Sequence, residues 1–357
     1  MKEKDLYIIK IGTNALISKN GKVSDFILSE IFSAIKKIIK KNENVIIVTS
    51  GAVRMGKISL ADSNISKATS AGVGQHLLFN LFEKEAEKNN LKLAKLLLTR
   101  AYIVKRDSLP VMQTIFDDLF SHGIIPVVNE NDIFSTGTDL TFGDNDSMAS
   151  VLAVILKAKK LIILSHVDGF FDADPEKNKD AKLIKEIKNV SDEFLKFCAK
   201  NVSVGGSGGM LSKLKAVRIC SAVGIETHIV NGLVKGNLEK VFEKKSVGTF
   251  FHGRNVEGKI SNKDRWILAA KSSTGSIQID DGAVEALKKS KSLLAVGVKK
   301  VFGEFQKNEV IEIIDLKRNS IAFGIVDISK SDLEAIINLK QVHDQRVIHS
   351  NNLFMLK

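Results

Sequence analysis

The chain has little cysteine and no long hydrophobic run. Its two cysteines, Cys198 and Cys220, have neither the spacing of a metal-binding motif nor the number needed for a disulfide framework, which favours a reducing compartment. No apolar run approaches the ~18–20 residues of a membrane span, and the N-terminal MKEKDLYIIK passes from charged residues straight into a predicted strand without a signal-peptide pattern. We therefore expect a cytoplasmic protein without a membrane segment.

Acidic residues are fewer than basic ones: the chain has 41 Asp and Glu but 53 Lys and Arg, which gives a net charge of +12. Such an excess can indicate binding of nucleic acid or acidic ligands. Here most of the lysines are spread over predicted solvated helix faces, as in IKKIIKKNEN, and proline is rare, so part of the excess is compositional. The sequence also lacks the aromatic platform on which single-stranded nucleic acids stack. Charge alone therefore does not indicate nucleic acid binding.

The order of the hydrophobic segments predicts two domains. Over residues 1–250, buried strands alternate with amphipathic helices, which predicts an α/β domain with a mostly parallel sheet sandwiched by helices. From residue 272 to 357 the chain changes to short alternating segments, which predict a small β-rich domain after a linker at 251–271. The segments predicted in the first domain include strands at 6–11, 45–53 and 161–165 and helices at 25–40, 73–88 and 109–121.

A glycine-rich stretch, VGGSGGMLSKLKAV at 204–217, precedes a predicted helix. It is not a Walker A loop, because three residues separate Gly209 from Lys213. Glycines nevertheless let backbone N–H groups approach an anion, and the start of the following helix adds its positive end. The stretch is therefore either a phosphate cradle, with Lys213 in the first turn of the helix, or a flexible surface loop.

Two further segments carry charges that suit phosphate chemistry. Lys10 lies at the carboxyl end of the first predicted strand, beside the glycine turn at Gly12, where it would meet a phosphate or cap the strand. In FGDNDSM, two aspartates flank Asn145 at the start of a helix. Asp146 is open to three interpretations: a metal ligand, an ion-pair partner for the two lysines, or a helix cap. A dedicated metal cage is the weakest of these, because Mg²⁺ usually arrives with nucleotide phosphates and keeps several waters.

The stretch PVVNENDIF, at 126–134, places amides and carboxylates directly after a buried strand. Asn129 and Asp132 would suit an amino-acid substrate, whose ammonium needs acceptors and whose carboxylate needs donors. Ser50, in TSGAV, and its neighbouring backbone N–H groups would serve the other end of such a substrate. Either segment read alone is also compatible with an ordinary polar turn.

Together these motifs resemble the amino-acid kinase family, in the order in which that family carries them. The resemblance covers most of residues 1–250, and the C-terminal segments GSIQIDDGAVEAL, SLLAVGV and VIHSNNL resemble a PUA domain. The matching stretches of the first domain are IIKIGTNAL, VTSGAVRMG, AGVGQHLL, VVNENDIF, FGDNDSMAS, VDGFFDADP and GGSGGMLSKLKAV.

The resemblance implies transfer of the γ-phosphoryl group of ATP to the side-chain carboxylate of L-glutamate, a step of proline biosynthesis. Lys10 and Lys213 would stabilise the transferring group and Asp146 would orient them. The implied substrate-binding residues are Ser50, Asp132, Asn145 and Asn129. No general base is needed, because a carboxylate is already ionised at neutral pH.

The resemblance also implies ATP and Mg²⁺ as cofactors, a homo-oligomer, and proline as a candidate feedback inhibitor. In one place the chain departs from the family, which usually has an aspartate where this chain has His166; this bears on nucleotide preference. The implied ATP-binding residues are Lys10, Gly12, Ser165, His166, Ser207, Gly208, Gly209, Met210, Leu211, Ser212 and Lys213.

Two alternatives remain open at the level of sequence. The acceptor can be another small acid, such as carbamate, aspartate or N-acetylglutamate, and Asp132 bears on this because an acetylated substrate has no ammonium to bind. The protein can instead act on RNA through its lysine-rich C-terminal domain, since PUA domains elsewhere are associated with RNA.

Overall fold

The computed structural model describes residues 4–18, 23–61, 64–134, 141–175, 177–200, 209–256, 259–270, 275–338 and 344–356. The chain divides into two compact units, Met1–Val256 and Glu257–Lys357. Among the described helices, none is long and apolar enough to cross a membrane.

The first unit is built on an eight-stranded sheet with the order β3-β4-β2-β1-β5-β9-β10-β8. The first six strands in this order, β3, β4, β2, β1, β5 and β9, are parallel to one another, and β10 runs antiparallel to β9. The prediction of a mostly parallel sheet is therefore confirmed. The strands of this unit are β1 (Leu6–Ile11), β2 (Asn44–Thr49), β3 (Lys92–Leu98), β4 (Ile124–Glu130), β5 (Lys160–Ser165), β6 (Phe170–Phe171), β7 (Leu183–Ile184), β8 (Glu186–Ile187), β9 (Glu226–Asn231) and β10 (Thr249–Phe251).

Helices join these strands, and the central strands are apolar on both faces because both faces are covered. Ile8, Ile9 and Ile11 of β1, for example, are all fully buried. The helices of the first unit are α1 (Thr13–Leu16), α2 (Asp25–Lys40), α3 (Ala52–Leu60), α4 (Lys67–Lys88), α5 (Arg100–Val104), α6 (Ser108–Ser121), α7 (Asn145–Ile155), α8 (Asp192–Lys200), α9 (Met210–Ala222) and α10 (Asn237–Phe242).

The prediction for the segment between β2 and β3 was wrong in two places. The stretch 45–53 was predicted as a strand that runs out into a small-residue loop; the strand ends at Thr49, and a helix that was not predicted, α3, begins at Ala52. The helix predicted to begin at 73 begins at Lys67, where the Ser66 hydroxyl accepts a hydrogen bond from the Thr69 N–H and caps the helix. This earlier start places the first residue of α4 beside the functional site.

The second unit is a small β-rich domain, as predicted, with a five-stranded sheet in the order β13-β11-β14-β15-β17 and its own apolar core. Its first helix lies within the predicted linker. Its elements are α11 (Asn262–Ala270), β11 (Gly275–Ile279), α12 (Asp281–Lys288), β12 (Leu293–Leu294), β13 (Val298–Gly303), β14 (Val310–Ile314), β15 (Ser320–Ile325), α13 (Lys330–Asn338), β16 (Arg346–Ile348) and β17 (Leu353–Met355).

Candidate active site

Polar and charged side chains collect where β1, β2, β4 and β5 end and where α7 and α9 begin. This is the expected place for a ligand in a parallel sheet, because the carboxyl ends of the strands and the N-terminal ends of the following helices share one edge. Lys10 comes from β1, Asn145 and Asp146 from the first turn of α7, and Lys213 from the first turn of α9.

The centre of the site is a buried cluster of two lysines and one carboxylate. Lys10 Nζ lies 2.7 Å from Asp146 Oδ1, and Lys213 Nζ lies 3.2 Å from Asp146 Oδ2. The three residues are 4%, 6% and 0% exposed, in the order Lys10, Lys213, Asp146. The Ser212 hydroxyl donates a third hydrogen bond to Asp146 Oδ2, over 3.0 Å. The Asp146 carboxylate therefore holds the ammonium groups of Lys10 and Lys213 close together at this edge of the sheet.

The charges of the cluster support one another. Burial disfavours ionisation of Asp146, but the adjacent charges of Lys10 and Lys213 outweigh it and hold the pKa of this carboxyl below its ordinary value. Burial lowers the pKa of Lys213, and the Asp146 charge opposes that change. With every group charged, the cluster carries one excess positive charge in a buried place, which is complementary to an anion.

Asp146 is free for these contacts because another aspartate caps the helix. Asp144 precedes α7, and its Oδ1 accepts a hydrogen bond from the Ser147 N–H over 2.7 Å. Of the three interpretations that the sequence left open for Asp146, the structure thus gives the capping position to Asp144 and places Asp146 between the lysines.

Asn145 connects the ends of two strands, β2 and β4. Its Nδ2 lies 2.5 Å from the Thr49 carbonyl oxygen, 3.0 Å from Ser50 Oγ and 2.9 Å from Asn129 Oδ1. The side-chain amide of Asn145 has two N–H hydrogens and three acceptors within reach. A ligand can therefore replace one acceptor while the others keep the amide in place. Three of the four predicted substrate-binding residues, Ser50, Asn129 and Asn145, are therefore in direct contact.

Asp132, the fourth, lies in the turn after β4 and pairs with a residue that the sequence did not single out. Its Oδ1 is 2.9 Å from Lys67 Nζ, at the first residue of α4. The Asp132 side chain is 11% exposed and that of Lys67 is 64% exposed. The predicted acceptor for a substrate ammonium thus already binds one ammonium, at the surface of the site.

Glu130 links β4 to the segment that leads into α7. Its side chain is buried, and its Oε1 accepts a hydrogen bond from the Phe142 N–H over 2.7 Å. Its carbonyl oxygen accepts one from Gln75 Nε2 of α4 over 3.1 Å. Burial raises the pKa of Glu130, the Phe142 hydrogen bond opposes that, and the charge of Asp132 adds to the increase.

We expect Glu130→Gln to stabilise the protein at neutral pH and not at acidic pH. A carboxyl whose pKa is raised by folding destabilises the folded state once it is ionised, and this cost disappears as the pH falls through the folded pKa and below the unfolded one. The amide keeps an oxygen acceptor for Phe142 and removes the buried charge. Thermal melts should show a midpoint higher by on the order of 2 °C near pH 7.5 that converges with the unsubstituted protein toward pH 4. A pH-independent decrease would contradict this.

The predicted ATP-binding residues lie in two parts of the first unit: at the ends of β1 and β5, and at the start of α9. The Gly12 N–H donates to the Leu164 carbonyl over 3.0 Å, and a Cβ at Gly12 would lie 3.7 Å from Lys10 Nζ. Ser165 is buried at the end of β5, and its carbonyl accepts from the Gly232 N–H over 2.8 Å, while His166 beside it is exposed. Gly209 precedes α9, and Met210, Leu211 and Ser212 form its first turn. Ser207 and Gly208 lie outside the described residues.

Within the described ranges, no group of three or more His, Cys, Asp or Glu side chains could hold a metal ion. The nearest carboxylate to the lysines, Asp146, is committed to them and to Ser212.

Sequence reasoning missed Lys67 and Gln75, two residues of α4. Gln75 lies in the quoted stretch AGVGQHLL, but nothing in the pattern indicates that its amide reaches the end of β4. The start of α4 at Lys67 had one signal in the sequence, since Ser66, directly before it, is a residue type favoured at helix N-caps.

Comparisons with known proteins agree with this architecture. A model of the amino acid kinase family matches residues 5–231, and a PUA domain model matches residues 275–348. The glutamate 5-kinase of Pelagibacter ubique (strain HTCC1062) is 37% identical over 342 residues, which cover 94% of this chain and 92% of that protein. The glutamate 5-kinase of Caldanaerobacter subterraneus subsp. tengcongensis is 34% identical over 366 residues, covering 98% and 97%.

Among solved structures, the carbamate kinase of Giardia lamblia, bound to AMP-PNP, superposes with a TM-score of 0.51. It is 18% identical and covers 71% of this chain and 99% of its own. This likeness supports the fold of the first unit.

Proposed function

The chain belongs to the amino acid kinase family, and from this premise we propose that it transfers the γ-phosphoryl group of ATP to the side-chain carboxylate of L-glutamate. The product is L-glutamyl 5-phosphate, and the reaction is the first step of proline biosynthesis. Support for glutamate as the acceptor comes from the near full-length relatives that are glutamate 5-kinases and from the polar side chains around Asn145.

The observation that carries the proposal is the buried cluster of Lys10, Asp146 and Lys213. In the reaction a carboxylate oxygen of glutamate bonds to the γ-phosphorus, and the bond from that phosphorus to the β–γ bridging oxygen breaks as ADP leaves. Charge on the migrating group is what catalysis must stabilise, and two fixed ammonium groups supply this without reorganisation. No proton moves, because the attacking carboxylate is ionised at neutral pH.

ATP enters as its magnesium complex. The described residues offer no cluster of three carboxylates or histidines, so the ion would be held by phosphate oxygens and water, as Mg²⁺ at nucleotide sites usually is. Gly12, Ser165 and His166, with the start of α9, would lie along the nucleotide. Lys10 and Lys213 then act on the γ-phosphoryl group and Asp146 keeps them in position.

Glutamate would lie across the ends of β2 and β4. Asn145 and Asn129 would orient it, Ser50 and the backbone N–H groups beside it would donate to a carboxylate, and Asp132 would accept from the α-ammonium. The proposal extends to a cytoplasmic homo-oligomer and to proline as a feedback inhibitor, as the family resemblance implies.

The test is ATP-dependent formation of an acyl phosphate, trapped with hydroxylamine as a hydroxamate. With Mg²⁺ and ATP, L-glutamate should give a signal, whereas L-aspartate, N-acetyl-L-glutamate and carbamate should give less than about one-tenth of it at equal concentration. Asp132→Asn should raise the KM for L-glutamate about 10-fold or more, because a charge-assisted contact to the ammonium is lost. A signal with another acid and not with glutamate would overturn the assignment.

A further inference from the structure

The ion pair between Lys67 and Asp132 lies in the part of the site where the amino-acid headgroup would bind. Among the described residues, the Lys67 side chain has no hydrogen bond or ion pair besides the ion pair with Asp132, 2.9 Å away. Its side chain faces solvent, while that of Asp132 is nearly buried. The pair therefore places one positive and one negative charge side by side at the surface of the site.

The position of Lys67 is fixed by the rest of α4. Two turns further along the helix, Gln75 Nε2 donates to the carbonyl of Glu130, two residues before Asp132. Between these points, the helix lies beside Ile133, since a Cβ at Gly72 would be in ordinary contact with Ile133 Cδ1, 3.6 Å away. Ser66 caps the helix directly before Lys67. The Lys67 ammonium thus lies at the N-terminal end of α4, beside the turn that contains Asp132, and the contacts of α4 with this turn and with the end of β4 fix its position.

An ion pair whose ammonium lies in solvent contributes little to stability. Exchanging its partners therefore costs little. The headgroup of an α-amino acid is itself a pair of opposite charges on one carbon atom. Placed between Lys67 and Asp132, it gives each of them a new partner of the right sign, and both original charges remain compensated.

We propose that Lys67 is a substrate-binding residue that determines specificity for α-amino acids by binding the α-carboxylate of the acceptor while Asp132 binds its α-ammonium. This inference rests on the proposed function. The ion pair has a role on this inference: Lys67 compensates the charge of Asp132, and the two charged groups of an α-amino acid can replace that contact. The reactive side-chain carboxylate then extends toward Lys10 and Lys213.

The test removes the charge of Lys67 and compares ligands that lack one group of the headgroup. 4-Aminobutyrate is glutamate without its α-carboxylate, and glutarate is glutamate without its ammonium. In Lys67→Met, the KM for L-glutamate should rise about 10- to 100-fold with kcat changed less than about 3-fold. The inhibition constant of 4-aminobutyrate should change less than about 3-fold, since it lacks the group that Lys67 contacts. Lys67→Arg should restore at least part of the glutamate affinity.

Two further variants make the comparison specific. Lys84→Met removes another exposed lysine of α4 and should leave the glutamate KM unchanged. Asp132→Asn should weaken glutamate and spare glutarate. An unchanged glutamate KM in Lys67→Met would overturn the inference, as would equal weakening of glutamate and 4-aminobutyrate, which is the result expected if Lys67 only holds the turn in place. Wild-type protein without glutamate-dependent hydroxamate formation would instead overturn the proposed function itself.

Discussion

Lys213→Ala should lower kcat for phosphoryl transfer by about 100-fold or more and leave the fold intact. The loss follows from removing one of the two preorganised charges that stabilise the transferring group, an effect of about 10²–10³ where a single donor has been removed from comparable sites. The fold should survive because Asp146 keeps Lys10 at 2.7 Å and the Ser212 hydroxyl at 3.0 Å, so no buried charge is left alone.

The measurement is single-turnover hydroxamate formation at saturating ATP and glutamate, with far-UV circular dichroism and a thermal melt on the same sample. Lys215→Ala is the matched control, because Lys215 lies on the same helix, two residues away, with its side chain exposed. Near-normal kcat in a folded Lys213→Ala protein would contradict the role of the cluster. Lys10→Ala should behave in the same way, since Asp146 then retains Lys213.

The first unit was predictable because its signals are local. A strand such as LYIIKI is apolar on both faces, which indicates a covered parallel sheet, and a parallel sheet brings its carboxyl ends to one edge. Lys10, Ser50 and Asn129 lie at or directly after the ends of such strands, so the sheet brings them to the same edge. That Asp146 lies between Lys10 and Lys213 was one of three open interpretations, because residue order does not say which of two neighbouring aspartates caps the helix.

The residues that were missed depend on packing that residue order does not reveal. The start of α4 was placed at 73 and not at Lys67, because KATSAGVG is rich in residues with low helix propensity, among them Gly72 and Gly74. Gly74 nevertheless lies within the helix, where it faces the backbone of α3. With the start misplaced, Lys67 lay outside any predicted element and its contact with Asp132 was missed.

Gly74→Ala should be among the most destabilising single substitutions in the first unit. Helices α3 and α4 approach so closely that a Cβ at Gly74 would lie 1.7 Å from the Ala52 carbonyl oxygen and 2.6 Å from the Gly56 nitrogen. Both are backbone atoms, so no side-chain rotation relieves the overlap and the helices must separate. Overpacking of a well-packed core typically costs about 1–3 kcal/mol and occasionally more, and we expect about 3 kcal/mol or more here.

Gly72→Ala is the matched control for this prediction, since it lies on the same helix and its new Cβ would be in ordinary contact with the Ile133 side chain, 3.6 Å from Cδ1 and 3.9 Å from Cγ1. There the gain in helix propensity should stabilise the protein by up to about 1 kcal/mol. The circular dichroism melt should therefore shift down by roughly 6–12 °C for Gly74→Ala and not for Gly72→Ala. Equal melting temperatures for the two variants would show that α3 and α4 are not held by this contact.

Separation of α3 from α4 should also change the substrate-binding part of the site, because α3 begins directly after Ser50 and Gly51, and α4 begins at Lys67. Below its melting temperature, Gly74→Ala should therefore also raise the KM for L-glutamate, while the Lys10, Asp146 and Lys213 cluster, which lies on other elements, keeps kcat close to normal. Glycines that the sequence pattern treats as helix breakers thus set the distance between the two helices that carry the substrate-binding end of the site.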